Sequence, residues 1–126
     1  SKKEVLNKLI YKVYFEKPYT DLAGRVVGKE TKTGIYKITN TLNQKSYIGQ
    51  AADIGARFKE HIKAGLGIDM PNNKLYTAMF INGVEFFTFE IVEECLRTEL
   101  NEKEAYWIEF YKTQEYGYNM TKGNKS

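Results

Sequence analysis

Two short runs of strand-forming residues, Gly34 to Thr39 and Ser46 to Gln50, lie on either side of Asn40-Thr41-Leu42-Asn43-Gln44. Ile, Tyr and Thr suit a pleated, half-buried surface, and the Asn-containing interval supplies turn chemistry, so the pair predicts a β-hairpin. A third run, Glu85 to Glu93, alternates Phe87, Phe89 and Ile91 with Thr88 and Glu90, as a strand with one buried face does. The segments between and around these runs have helical spacing. Asp53 is placed to cap a helix reaching about Ala64, whose Ile54, Phe58 and Ile62 form one apolar stripe before Gly65, Gly67 and Pro71 interrupt it. Asn73 to Phe80 sets Leu75, Ala78 and Met79 on one side and is closed by Asn82-Gly83. Asn101 to Tyr111 forms another helix. Leu6, Ile10 and Val13 mark a helix over residues 4 to 14, followed by Pro18 and a Gly-containing connector from Asp21 to Thr33. The order helix, strand, strand, helix, helix, strand, helix predicts an α+β fold, a small mainly antiparallel sheet with helices packed on it. Residues 1–33 read as an N-terminal helix and connector, and 34–126 as the body of the domain.

A chain of 126 residues supports one core and should bury roughly two-thirds of the surface it exposes when unfolded. No apolar run approaches the ~20 residues of a membrane span and no signal-peptide pattern opens the chain, which points to the cytoplasm. Cys95 and His61 are the only soft ligands, too few for a structural zinc site or a disulfide within one copy, so any metal must be held by oxygen. Charge is uneven. Residues 1–63 carry 13 Lys/Arg against 6 Asp/Glu, a balance of +7, and residues 64–126 carry 6 against 10, a balance of −4. That fits either a phosphate-facing basic side set against an acidic side that could hold a cation, or an ordinary solvated surface.

Several polar residues occupy positions that need a reason. On a helical wheel of about 100° per residue, Leu100, Trp107, Tyr111 and Ile108 form an expected buried stripe, and Glu104 falls between Tyr111 and Ile108. A carboxylate there must be paired, hydrogen-bonded or bound to a metal. Alternatively, Asn101 and Glu104 have capping-box spacing, and Glu104 satisfies the first turn. Arg57 and His61 are four apart, neighbours at the rim of the Ile54, Phe58, Ile62 stripe. A guanidinium there can donate two hydrogen bonds to a phosphate and an imidazole one turn on can orient or shuttle a proton; the plainer reading is a surface Arg and a His held by a backbone carbonyl. Tyr36 and Tyr47 sit on the two arms of the hairpin. For catalysis a phenol would need its pKa lowered by a nearby Arg or metal, since an unperturbed Tyr is only about 0.1% ionised at pH 7.

Gly34-Ile35-Tyr36, then Tyr47-Ile48-Gly49 after a short turn, then Arg57, His61, Glu104 and Asn119 in that order closely resemble the GIY-YIG nuclease family. The similarity runs from Gly34 to about Lys122 and includes Glu104-x-x-Trp107-Ile108 and Gly117-Tyr118-Asn119. The resemblance implies a three-stranded antiparallel sheet flanked by helices. It also implies divalent-metal-dependent hydrolysis of DNA phosphodiesters with one Mg²⁺ or Mn²⁺, leaving a 5′-phosphate and a 3′-hydroxyl. Glu104 would be the single protein carboxylate on the metal, Arg57 would bond the scissile phosphate, and Tyr36 or Tyr47 would take a proton from water with His61 accepting or relaying it. Asn119 would position Glu104 or a substrate oxygen. Lys37 and Lys45 on the hairpin would touch phosphate or help depress a tyrosine pKa, or lie on a solvated surface. Gly34 and Gly49 fit places where backbone turns or approaches closely.

Two other classes stay open on the sequence: a nucleic-acid-binding or interaction module that keeps the fold with little catalysis, and a hydrolase of RNA or nucleotides. The family's catalytic modules are often joined to DNA-binding or motor domains, so the chain is expected to be a piece of a larger protein.

Overall fold

The computed structural model describes residues 32–68 and 71–123; the helix expected over residues 4–14, and the connector up to residue 31, lie outside them. The hairpin forms as expected. Strand β1 (Gly34–Asn40) pairs antiparallel with β2 (Ser46–Ala51), in register Tyr36 to Gly49 and Ile38 to Tyr47. Asn40 turns the chain: its Oδ1 accepts from the Leu42 amide, its N–H reaches the Lys45 carbonyl, and Gln44 takes the left-handed conformation at φ 64°. β3 (Phe87–Glu94) pairs antiparallel with the other side of β1, giving the order β2-β1-β3 with an irregularity between Ile35 and Tyr36. The expected strand at Glu85 begins two residues later, because Val84–Phe86 forms a 3₁₀ turn in which Val84 is buried.

Side chains alternate across a strand, so β1 serves two cores. Tyr36 and Ile38 face α1 (Ile54–Gly65) and α2 (Lys74–Asn82), joining Phe58, Ile62, Leu75 and Met79 in the larger cluster. Ile35 and, from β2, Ile48 face α3 (Leu100–Tyr111), where Leu100 and Ile108 complete a second cluster. The result is a three-layer stack with the sheet in the middle. Asp53 and Asn73 cap α1 and α2 as the sequence indicates, accepting from the amides of Ala56 and Tyr76. The two helices come close at Gly65, where a Cβ would lie 2.8 Å from Met79 Sδ.

Two expectations about α3 change. Tyr111, assigned to the buried stripe, is exposed; its ring stacks on Trp107 and carries Lys37 Nζ 4.1 Å above it. The helix also starts at Leu100, which puts Asn101 inside the first turn, and the first-turn capping contact is made further upstream by Glu99 Oε1 accepting from the Leu96 amide. A four-residue helix, α4 (Thr113–Tyr116), then leads into the closing segment, whose Tyr118 is buried. Among the described residues no helix is long and apolar enough to cross a membrane.

Candidate active site

Tyr36 is the floor of the site. Its position on the α1 face of the central strand leaves it 1% exposed, with its ring edge-on to Phe58 at 5.2 Å between centroids. Its hydroxyl meets Nε2 of His61 at 2.6 Å. The phenol passes so close to β2 that a Cβ on Gly49 would lie 2.3 Å from Tyr36 Oη, which is why the residue opposite Tyr36 in the ladder has no side chain. Gly34 is held by a second close approach, to the carbonyl of Glu93.

His61 is buried, and the helical offset from Arg57 does put both on the side of α1 that looks over the sheet. Nδ1 of His61 meets the hydroxyl of Tyr76 at 2.7 Å, so the ring is held between two phenols and not by a backbone carbonyl. Burial, and next the charge of Arg57, lower the His61 pKa to about 3, which makes the imidazole neutral throughout the ordinary pH range. Arg57 itself is exposed, with Nε 3.5 Å from Glu60. That surface pair is weak and the guanidinium stays accessible to a ligand.

Tyr47 is half-buried on the same sheet face, its ring 5.8 Å from His61 and 6.4 Å from Tyr36. Its phenol feels both the Glu104 carboxylate and the Arg57 guanidinium, so it lies between the contributions of α1 and α3. The expectation that Arg57 would lower a tyrosine pKa is met in sign and outweighed in size. Burial is the largest influence on Tyr36, Tyr47 and Tyr76 and holds all three phenols above the usual value, Tyr76 at about 12. The resting site therefore contains protonated phenols.

Glu104 comes from the other side of the sheet. It is half-buried and reaches the β2 edge, where Gln50 Nε2 donates to Glu104 Oε1 at 3.2 Å and to Asn101 Oδ1 at 2.9 Å. A pocket of about 350 Å³ opens here, lined by Tyr47, Asn73, Glu104, Tyr118 and Asn119 among others. A larger depression of about 800 Å³ on the outer side of α3, among Glu102, Glu109 and Glu115, holds none of the candidate catalytic or metal-binding residues named from the sequence.

Asn119 acts differently from the expectation. It is buried, its Oδ1 accepts from the Ile48 amide at 2.8 Å and its Nδ2 donates to the Ile48 carbonyl at 2.9 Å. Each end of the amide thus bonds the β2 backbone between Tyr47 and Gly49, so its described hydrogen bonds hold the strand. Lys37 projects from the α3 face, opposite Tyr36, and its Nζ lies 3.3 Å from Glu90; Lys45 is exposed at the hairpin end. The fold does not bring Lys37 to the tyrosine cluster. Tyr76 and Gln50 were missed by the sequence reading. The available signal for Tyr76 was a phenol at the margin of the Leu75, Met79 stripe, but nothing local links it to a His 15 positions earlier.

The residues fit a hard cation. Among the described residues no three His, Cys, Asp or Glu side chains gather to cage an ion, but the pocket is lined by one carboxylate, Glu104, together with Tyr47. Mg²⁺ is commonly held by one or two carboxylates and keeps several waters.

Comparison with known proteins gives a consistent result. The profile of the GIY-YIG catalytic domain matches residues 32–119. Intron-associated endonuclease 1 of Enterobacteria phage T4 is 35% identical over 91 residues, which cover 71% of this chain and 37% of that protein. The chain thus spans little more than a third of the length of this curated relative. Among solved structures, the catalytic domain of the homing endonuclease I-TevI superposes with a TM-score of 0.64 at 34% identity, covering 71% of this chain and 99% of that one. A mutant of the same catalytic domain gives 0.64 at 32% identity over 75% and 99%.

Proposed function

The chain belongs to the GIY-YIG family and is an endonuclease domain of it, and from that premise we propose that it hydrolyses DNA phosphodiester bonds with one Mg²⁺ or Mn²⁺ at Glu104. The observation that carries the reading is the convergence on β2: Tyr47 feels Arg57 from α1 and Glu104 from α3 at once, with the Tyr36–His61 pair beside it. These groups match the needs of phosphodiester hydrolysis, in which water adds to phosphorus, the 3′-oxygen leaves, and a 5′-phosphate remains.

Each residue has one task. Arg57, exposed and permanently charged, holds the phosphate and stabilises the negative charge that grows on its oxygens. Tyr36 accepts the proton of the attacking water while passing its own to His61 Nε2. Unlike Tyr47, it has a hydrogen-bonded base among the described residues to receive its own proton. Neutral His61 is ready to accept, yet its pKa near 3 and the raised Tyr36 pKa make full transfer uphill in the resting site. The proton therefore shifts only as water attacks. Tyr47 orients water or substrate oxygens in the pocket. Bound at Glu104, a divalent ion would stabilise the leaving oxygen, and Gln50 keeps that carboxylate in place. The chain's small share of its curated relative's length supports its working as the catalytic module of a longer protein that selects the target elsewhere.

Nicking of supercoiled plasmid tests the reading. Activity is expected with Mg²⁺ and expected to vanish with EDTA and in Glu104→Ala; equal nicking under all three conditions would overturn the metal proposal. RNA and DNA oligonucleotides of one sequence, compared side by side, test the choice of substrate.

A further inference from the structure

Tyr36 and Tyr76 occupy opposite nitrogens of one neutral imidazole, at 2.6 Å and 2.7 Å. A neutral ring has one hydrogen to give and one lone pair to offer, so one phenol donates to His61 and the other accepts from it. Burial decides which. Tyr36 is 1% exposed and His61 is its only hydrogen-bond partner among the described residues. If Nε2 carried the hydrogen, the Tyr36 hydroxyl would accept it and its own O–H would be buried without an acceptor, which carries the full desolvation penalty of an unmade bond. Tyr76 is half-exposed, so it can accept from the ring and still direct its own O–H to water.

We propose that Tyr76 is a positioning residue of this endonuclease, accepting the Nδ1–H of His61 and so fixing the tautomer in which the Nε2 lone pair faces Tyr36. The fold anchors it for this. Its backbone amide donates to Asn73 Oδ1 at the N-cap of α2, its neighbours Leu75 and Met79 are buried in the larger core, and the close approach of the helices at Gly65 sets α2 against α1. The tautomer matters only if Tyr36 gives its proton to His61, so the kinetic consequence rests on the proposed function, whereas the tautomer itself does not.

Long-range ¹H–¹⁵N NMR on the full 126-residue chain reads the tautomer with no substrate present. The expected result is a protonated Nδ1 and a bare Nε2 in the parent protein, and a weakened preference with part of the hydrogen on Nε2 in Tyr76→Phe, where the Nδ1–H has lost its protein acceptor while Tyr36 still favours a bare Nε2. In plasmid cleavage, Tyr76→Phe should lower kcat by about 10- to 100-fold, the usual cost of losing a partner that orients a functional imidazole, with KM little changed. A parent protein with Nε2 protonated would overturn the proposal, as would Tyr76→Phe with unaltered tautomer and kcat. If Tyr76→Phe does not fold, the parent spectrum alone decides. Normal cleavage by Tyr36→Phe would remove Tyr36 from the proposed mechanism and leave the tautomer result standing.

Discussion

A phenol in low-dielectric surroundings is a poor source of phenolate, and the positions of Tyr36 and Tyr47 would suggest the opposite if only the motif were considered. Burial raises both while Arg57 lowers both, and burial is the larger influence. In the proposed mechanism Arg57 therefore holds phosphate and does not ionise a tyrosine. Arg57→Ala should cut the cleavage rate by on the order of 10²-fold or more, measured at saturating plasmid, because a donor to the transition state is lost. Gly49→Ala should be damaging through sterics alone. The new Cβ would lie 2.3 Å from Tyr36 Oη, and relieving that overlap should cost about 1–3 kcal/mol in a urea titration and break the bond to His61. Glu104, and Arg57 with His61, could be picked out from helical spacing, because a polar residue beside an apolar stripe is visible in one segment. Tyr76 could not: its partner lies on another helix, and only the packing of α1 against α2 joins them.

The helices and strands themselves were largely legible, since caps at Asp53 and Asn73 and the alternation in β1 and β3 are local signals. The exceptions are local features overruled by neighbours. Glu85 and Phe86 were read as strand but form a 3₁₀ turn that seats Val84 in the core, and Tyr111 was read as buried but is the exposed last residue of α3, its ring against Trp107 and Lys37. Asn119 shows the same limit for the site. Its role depends on lying beside Ile48, 71 positions away, and its two hydrogen bonds continue the ladder of β2 with a side chain. Asn119→Ala should leave the Ile48 N–H and C=O unpaired, at about 1–3 kcal/mol for each buried group. Faster hydrogen exchange at the Ile48 amide, with Tyr36–His61 intact, would be the local signature; unchanged exchange would show that the strand does not depend on Asn119.

At the scale of the molecule, a neutral His61 links stability to pH. Its folded pKa of about 3 lies below the ordinary 6.5, so between these values the unfolded chain binds a proton that the native protein refuses. Stability from this group is complete above about pH 6.5 and falls with acidification by up to about 1.4 kcal/mol per pH unit until the folded pKa is reached. Urea midpoints measured from about pH 7 to about pH 4 should show that slope, and His61→Gln should flatten it. The three-layer stack also explains why the site could not be assembled from any one segment: α1 and α3 lie on opposite faces and meet functionally only around the margin of β2. That margin has a second consequence. An outer strand with bare amides and carbonyls is a template on which another chain can add. Here the chain's own closing segment covers it, through the Tyr118 amide on the Ser46 carbonyl and the Asn119 side chain on Ile48. Cutting the chain before Tyr118 should therefore yield a protein that self-associates as well as one with a disordered active site, and light scattering would show the aggregation where an assay alone would record only lost activity.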